Sequence, residues 1–367
     1  MEPQPQPAAQ PDDLESARRR IDAIDRELIR LISERGALAQ RIGRFKAADG
    51  TPVYAPDRES EILQRVCQQN PGPFPNSVLL AVYREIMSGS LALERTLRVA
   101  FLGPLGSYSH LAAMKKFGAS VEYESLSNVE AVFGEVERGH ADFAVVPVEN
   151  SLGGCVRETL DAFITSPVRV CAEVNVRIRH NLLARVPIGQ IERVYSKPEV
   201  FDQCRRWLMQ TGLLSKAVPC PSSARAAELA AAEERAAAIG STLAAELHRL
   251  PVLVPDIEDN PNNVTRFFVL GRQPARRTGN DKTSILFTTA HRAGALVDVL
   301  DAFRQEQINL TMIASLPSRR NAWEYYFFVD AEGHTDDAAL VRALAEVRGH
   351  CLHLTVLGSY PRPGEVV

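Results

Sequence analysis

Arg35 and Lys46 stand 11 residues apart, in a stretch whose apolar residues recur every three or four positions. At ~3.6 residues per turn the two cations share one helix face. Arg35 takes the place in that seam where the next apolar residue after Leu28 and Leu31 is due. A charge on a helical seam costs several kcal/mol unless it is paired. Lys46 is the only lysine in the first hundred residues, which otherwise use arginine. A compact ammonium suits one small oxygen, and a guanidinium fork suits a carboxylate. One reading is a polyanion pocket inside a helical bundle. The other is a long charged helix whose side chains snorkel to water. Arg18 lies about 100° off the shared face and would turn inward only from a bent helix or a second subunit.

A second set of candidates is spread over four short motifs: Phe101–His110, Pro147–Gly154, Tyr195–Cys204 and Asn263–Phe267. The first is a glycine-bearing strand-to-helix turn, able to hold an anion at a helix N-terminus. It lacks G-x-G-x-x-G, so a dinucleotide site gains little support. Taken singly, each motif also reads as an ordinary turn or loop.

The elements that must position these residues fall into three segments. From about Asp13 to Arg95, Leu14, Ala17, Ile21, Ile24, Leu28, Leu31, Leu38, Ile42 and Phe45 mark one helix of roughly 45–50 Å. Gly50, Pro52 and Pro56 break it, and two shorter helices follow, from Asp57 to Cys67 and from Asn76 to Arg95. A helix too long for about 80 residues suggests an intertwined dimer. From Arg98 to Gly271 short apolar strands, Val99–Leu102, Phe143–Pro147, Val168–Val176, Arg193–Tyr195, Ala237–Gly240 and Phe267–Leu270, alternate with helices, an α/β pattern in two halves with a cleft between them. Polar residues 271–281 read as a linker. The last segment runs strand, helix, two strands (Ile308–Pro317 and Trp323–Val329), helix, strand, the ferredoxin-like order.

Composition narrows the class. Of 367 residues 45% are hydrophobic and 24% charged, as in soluble globular proteins. A net charge of −3 and a pI near 6.3 provide no global field for nucleic acid or an anionic membrane. No apolar run reaches the ~18–20 residues of a membrane span. The Pro/Gln-rich tail 1–12 has no secretory pattern, so the expected location is cytoplasmic. The six cysteines are scattered, which suits reduced thiols better than a disulfide framework or zinc site.

Arg18-x-x-Ile21-x-x-x-Asp25, Leu28-Ile-x-Leu-Ile-x-Glu-Arg35, Gly43-x-x-Lys46 and Asp57-Arg58-Glu59 together resemble the all-helical chorismate mutase family. The resemblance implies a dimer of crossed helices in which each site borrows one arginine. Arg18 would be the borrowed residue and Arg35 the resident carboxylate binder. Lys46 would meet the ether oxygen of chorismate and Glu59 its ring hydroxyl, with Arg58, Ser90 and Glu94 completing the pocket. The reaction is a concerted shift in which the ether bond breaks ahead of carbon–carbon bond formation. Fixed cations and donors can stabilise the charge growing on oxygen, with no nucleophile, metal or cofactor. Ala55 stands where some members carry aspartate, and Glu94 where many carry glutamine. An ionised carboxylate cannot donate, so Glu94 is expected to act protonated, a form that burial favours and Lys46 opposes.

The four later motifs, in this order, are similar to prephenate dehydratase. That implies two lobes akin to solute-binding proteins, with prephenate in the cleft. Family roles fall on Glu149, Asn150, Ser196, Gln203, Thr265 and Arg266. Lys197 replaces the histidine usual after that serine. Loss of CO2 and the ring hydroxyl needs a proton or strong donor at the leaving oxygen. Thr265 is the candidate donor or relay, Glu149 a second proton source, and Arg266 suits a substrate carboxylate.

Gly294-Ala-Leu-Val297 at a helix start resembles the ACT-domain motif that binds phenylalanine at a dimer interface. Effector contacts would then fall on Gly294, Ala295, Leu296, Val297, Ser315 and Pro317. The second motif reads Ala314-Ser-Leu-Pro317 in place of Glu-Ser-Arg-Pro, two polar groups fewer.

The fold class expected is thus multidomain: a tail (1–12), an all-α chorismate mutase as an intertwined helical dimer (13–95), an α/β bilobed, periplasmic-binding-protein-like dehydratase domain (98–271) and an α+β ferredoxin-like ACT domain (281–361). The expected function is chorismate to prephenate to phenylpyruvate, inhibited by phenylalanine, in a homodimer or dimer of dimers. Three rivals are a non-catalytic bilobed sensor, a mutase fused to an arogenate dehydratase, and a mutase–dehydrogenase fusion. The basic seam argues against the first, and the third would need a nicotinamide site.

Overall fold

The computed structural model describes residues 13–49, 53–317 and 325–364. The expected tail 1–12, the breakers Gly50 and Pro52, and the start of the strand expected from Trp323 lie outside the described residues. Among the described residues no helix is long and apolar enough to cross a membrane.

Helix α1 (Leu14–Asp49) has 36 residues, which at ~1.5 Å each is about 54 Å. Asp13 caps it, its carboxylate accepting from Ser16 N at 2.7 Å. No residue of α1 is buried; Leu28 and Ile42 are 49% and 50% exposed. The seam the periodicity marks is therefore uncovered within one chain. Helix α2 (Pro56–Gln68) opens on a proline whose missing N–H needs no partner there. Helix α3 (Asn76–Glu94) packs along the C-terminal half of α1. Gly43 permits the close approach. A Cβ on it would lie 2.8 and 2.9 Å from Cγ and Cβ of Glu94 and 3.1 Å from its Cα. Alanine would gain up to about 1 kcal/mol of helix propensity but would force α3, and Glu94 with it, away from Lys46.

The middle of the chain forms two lobes, each with its own sheet. In the first, the path runs Glu122–Leu126, Arg98–Leu102, Phe143–Asn150, Val264–Gly271, Arg169–Arg177. Val264–Gly271 lies antiparallel between its two neighbours, and its apolar run is buried as a central strand requires. In the second, the order is Val252–Val254, Asn181–Ala184, Ala236–Gly240, Arg193–Ser196, Ala217–Pro219. The chain crosses between lobes at 178–180 and again at 255–263. The two crossings run side by side, Ile257 N donating to His180 O at 2.8 Å. Helix α4 (Tyr108–Phe117) starts at the first motif, capped by Ser107, and packs on the first sheet.

The last sheet has the order Leu310–Pro317, Tyr325–Glu332, Asp281–Thr289, Cys351–Pro361, with helices Ala295–Gln305 and Ala338–His350 on one face. The ferredoxin-like order holds. Its other face is not free. Leu286, Met312, Leu316, Phe328 and Tyr360 share one apolar cluster with Val146, Phe163, Val170 and Phe268 of the first lobe. Gly358 allows that contact, since a Cβ there would lie 2.0 Å from Val170 O. Residues 271–281, expected as a linker, are packed. Ala275 is buried in the same cluster, its carbonyl meets His334 Nε2 at 3.2 Å, and Arg272 donates to Val136 O at 3.2 Å. The polar side chains that suggested a linker are in part the ones making these bonds.

Candidate active sites

Helix geometry gathers one set of residues. Arg35 and Lys46 project from α1, Arg58 and Glu59 from the first turn of α2, and Ser90 and Glu94 from α3. All six line one cavity of about 320 Å³. Arg35 Nη1 donates to Ser90 Oγ, whose own hydrogen goes to Ile86 O at 2.7 Å. Lys46 Nζ donates to Val53 O at 2.6 Å and to Glu94 Oε2 at 3.0 Å. Two donors are committed, so one ammonium hydrogen remains for a ligand. Arg58 sits at the rim, paired with Glu61 at 2.8 Å in an exposed bridge. Ala55 lines the cavity with no polar group to offer.

Arg18 is elsewhere. It lies 17 residues before Arg35 on the same unbroken helix, about 25 Å along the axis. Within one chain it does not reach this cavity.

Adjacent strands build the second site. Register pairs Thr265 with Asn150 and Arg266 with Glu149. Asn150 Oδ1 accepts from Leu152 N at 3.0 Å and Gly153 N at 2.9 Å. Those two bonds fix the amide, so its NH2 must face the other way. It donates to Thr265 Oγ1 at 2.8 Å and Asn263 Oδ1 at 2.7 Å. Gln203 Oε1 meets Asn263 Nδ2 at 3.3 Å and His180 Nε2 at 2.7 Å. Gln203 ends the helix Pro198–Gln203 of the second lobe, so the chain of amides reaches from the first lobe to the second and meets His180 on the first lobe crossing. Burial holds its pKa below the ordinary histidine value, so the imidazole is neutral near pH 7.

Two expected residues have other tasks in this structure. Ser196 is fully buried and donates to Ile239 O at 3.0 Å, so it braces the second sheet. Arg266 was expected to take a substrate carboxylate, but its guanidinium already meets three protein carboxylates. Nη1 lies 2.7 Å from Glu149 Oε2, Nε and Nη2 lie 3.2 and 3.0 Å from the two oxygens of Glu173, and Nη2 lies 2.5 Å from Asp330 Oδ2. Lys282 joins the cluster at 2.8 Å from Glu173. Burial pulls against the Arg266 charge, but Glu173 and Asp330 outweigh it and raise its pKa above the ordinary arginine value. Glu149 is an acceptor in this pair.

The third set lies at the start of one helix and on an edge strand of the last sheet. Gly294 precedes helix Ala295–Gln305 at φ 81°, in the left-handed region. Val297 is exposed, as are Ser315 and Pro317 on the edge strand. Leu316, between them, turns to the opposite face and is buried against the first lobe.

The chorismate mutase type II family matches residues 17–95, the prephenate dehydratase family residues 99–275 and the ACT domain residues 283–349. Over 96% of its length the chain is 42% identical to a bifunctional chorismate mutase/prephenate dehydratase of Aquifex aeolicus, and 98% of that relative is covered. The chain belongs to the bifunctional chorismate mutase/prephenate dehydratase family. A relative of the same name from Stutzerimonas stutzeri is 41% identical over 96% of this chain and 98% of its own. Among solved structures, the prephenate dehydratase of Arthrobacter aurescens in complex with L-Phe is 34% identical, with a TM-score of 0.68, covering 74% of this chain and 93% of its own.

Within this family frame, Tyr54, Lys116, Glu173, His180 and Asp330 were not singled out from the sequence. Glu173 carried a usable signal, as a lone carboxylate inside the apolar run Val170–Val176. Lys116 carried none.

Proposed function

We propose how the two sites divide the work of a bifunctional chorismate mutase and prephenate dehydratase subject to feedback by phenylalanine. In the mutase cavity Arg35 holds a substrate carboxylate and Lys46 meets the ether oxygen as negative charge grows there. Glu59 accepts from the ring hydroxyl. The single observation that carries this reading is that one cavity collects Arg35, Lys46, Glu59, Ser90 and Glu94 from three helices. The second copy of α1 in a homodimer covers the exposed seam and brings Arg18 to this site.

In the cleft, Thr265 stabilises the departing ring hydroxyl while CO2 leaves. Asn150 donates to Thr265 Oγ1, so the threonine hydrogen is left for the leaving oxygen. Prephenate then yields phenylpyruvate, CO2 and water. Phenylalanine binds at the turn opened by Gly294, beside Ala295, Leu296, Val297, Ser315 and Pro317.

Supplying chorismate alone tests the whole scheme. Prephenate should appear first and phenylpyruvate after it, and phenylalanine should slow only the second. Prephenate that accumulates without phenylpyruvate would sink the dehydratase half.

Glu94 has its own test. If it donates to the ether oxygen it must carry a proton, whereas here its Oε2 accepts from Lys46 at 3.0 Å. Glu94→Gln, a permanent donor, is then expected to keep or raise mutase turnover, and Glu94→Ala to lower it. A glutamine variant that loses as much turnover as the alanine variant removes Glu94 from that role.

A further inference from the structure

Helix α4 belongs to the dehydratase half of the chain, yet its last turn walls the mutase cavity with Lys116 and Phe117. Lys116 Nζ lies 2.5 Å from Glu59 Oε2, and the Tyr54 hydroxyl donates to the same oxygen at 2.5 Å. The Lys116 and Glu59 side chains are 18% and 11% exposed, too enclosed for an ordinary surface pair. Lys116 also sits 5.9 Å from the centre of the Tyr54 ring, which is itself buried. Two donors on one oxygen fix the rotation of the Glu59 carboxylate. Among the described residues nothing bonds its other oxygen, Oε1, which is left for a ligand.

We propose that Lys116, supplied by the dehydratase domain, is a positioning residue of the mutase site, holding Glu59 so that Oε1 accepts the ring hydroxyl of chorismate. The inference rests on the role given to Glu59 above. Its electrostatic logic is that the substrate is a dianion and the cavity already holds two carboxylates, Glu59 and Glu94. Each needs a cation to let the dianion enter. Lys46 serves Glu94, and Lys116 serves Glu59. The hydroxyl contact exists before and during the rearrangement, so losing it weakens substrate and transition state alike.

The test uses the full chain. Lys116→Met should raise the KM for chorismate roughly tenfold with kcat within about threefold, the size of one hydrogen bond to a charged group. Lys116→Arg should restore most of the loss. Turnover of added prephenate, measured on the same preparation, reports an intact fold; should Lys116→Met lose it, Lys116→Gln, uncharged but polar at its tip, gives the same readout. In a Glu59→Gln background the Lys116 substitution should add nothing. An unchanged KM, or a loss that simply adds to that of Glu59→Gln, overturns the inference. A wild-type chain with no mutase activity would instead refute the functional reading beneath it.

Discussion

Thr265→Ala should lower dehydratase kcat about a hundred- to ten-thousand-fold, the usual contribution of a positioned proton donor. Mutase turnover on chorismate should stay near wild type, because among the described residues no bond of Thr265 reaches the helical segment. The geometry behind the size of the effect is a chain of forced choices. Backbone N–H groups of Leu152 and Gly153 take Asn150 Oδ1. The amide NH2 therefore has to donate, and Thr265 Oγ1 accepts it. A hydroxyl that accepts there has its one hydrogen left over. Neutral His180 and Gln203 extend the same network. Thr265→Ser should retain much of the rate, since it keeps the hydroxyl at the same backbone position. The measurement is kcat with prephenate supplied directly. An alanine variant that turns over like wild type would leave the departing hydroxyl to some other group.

Arg18→Ala and Arg35→Ala should each cut mutase turnover by two to three orders of magnitude, about the loss seen when one preorganised charge-stabilising donor is removed. Co-expressed, the two inactive chains should recover about a quarter of wild-type activity. Half of the dimers formed at random are mixed, and each mixed dimer has one site with both arginines and one with neither. The reasoning starts from length. About 25 Å of straight helix separates Arg18 from Arg35, so a shared site requires two chains. Ile21, Ile24, Leu28 and Leu31 are all exposed along that distance, and Leu38 just beyond it, which supports an apolar surface for the second helix. Recovery no greater than the sum of the two separate variants would show that Arg18 does not cross to a partner.

The parts of the fold legible in the sequence were those governed by local periodicity. Seam spacing placed Arg35 and Lys46 on one face of α1, and that face does line the cavity. Strand Val264–Gly271 was legible in its apolar core, Phe267–Leu270, though its polar start was not. Strand Glu122–Leu126 was missed because it is an edge strand, mostly exposed and charged, with no apolar alternation to reveal it. Asn181–Ala184 was missed because four residues carry no period. Contacts between distant segments were the least legible. Lys116 and Glu59 are 57 positions apart, and nothing near either residue points to the other. The link of Arg266 to Asp330 and the burial of Ala275 arise from docking the last sheet on the first lobe, which local pattern does not encode.

That docking puts two cations, Arg266 and Lys282, among three carboxylates, Glu149, Glu173 and Asp330. A guanidinium cannot shed its charge, so a buried one must keep its acceptors even when their identity changes. Asp330 belongs to the sensor sheet and Glu149 to the catalytic cleft. If the sheet shifts and takes Asp330 with it, Arg266 keeps Glu149 and Glu173, and its Nη2 is open to water or to an incoming carboxylate. The sensor would thus contend with the cleft for a single cation, and it would need no contact with Thr265 to be felt there.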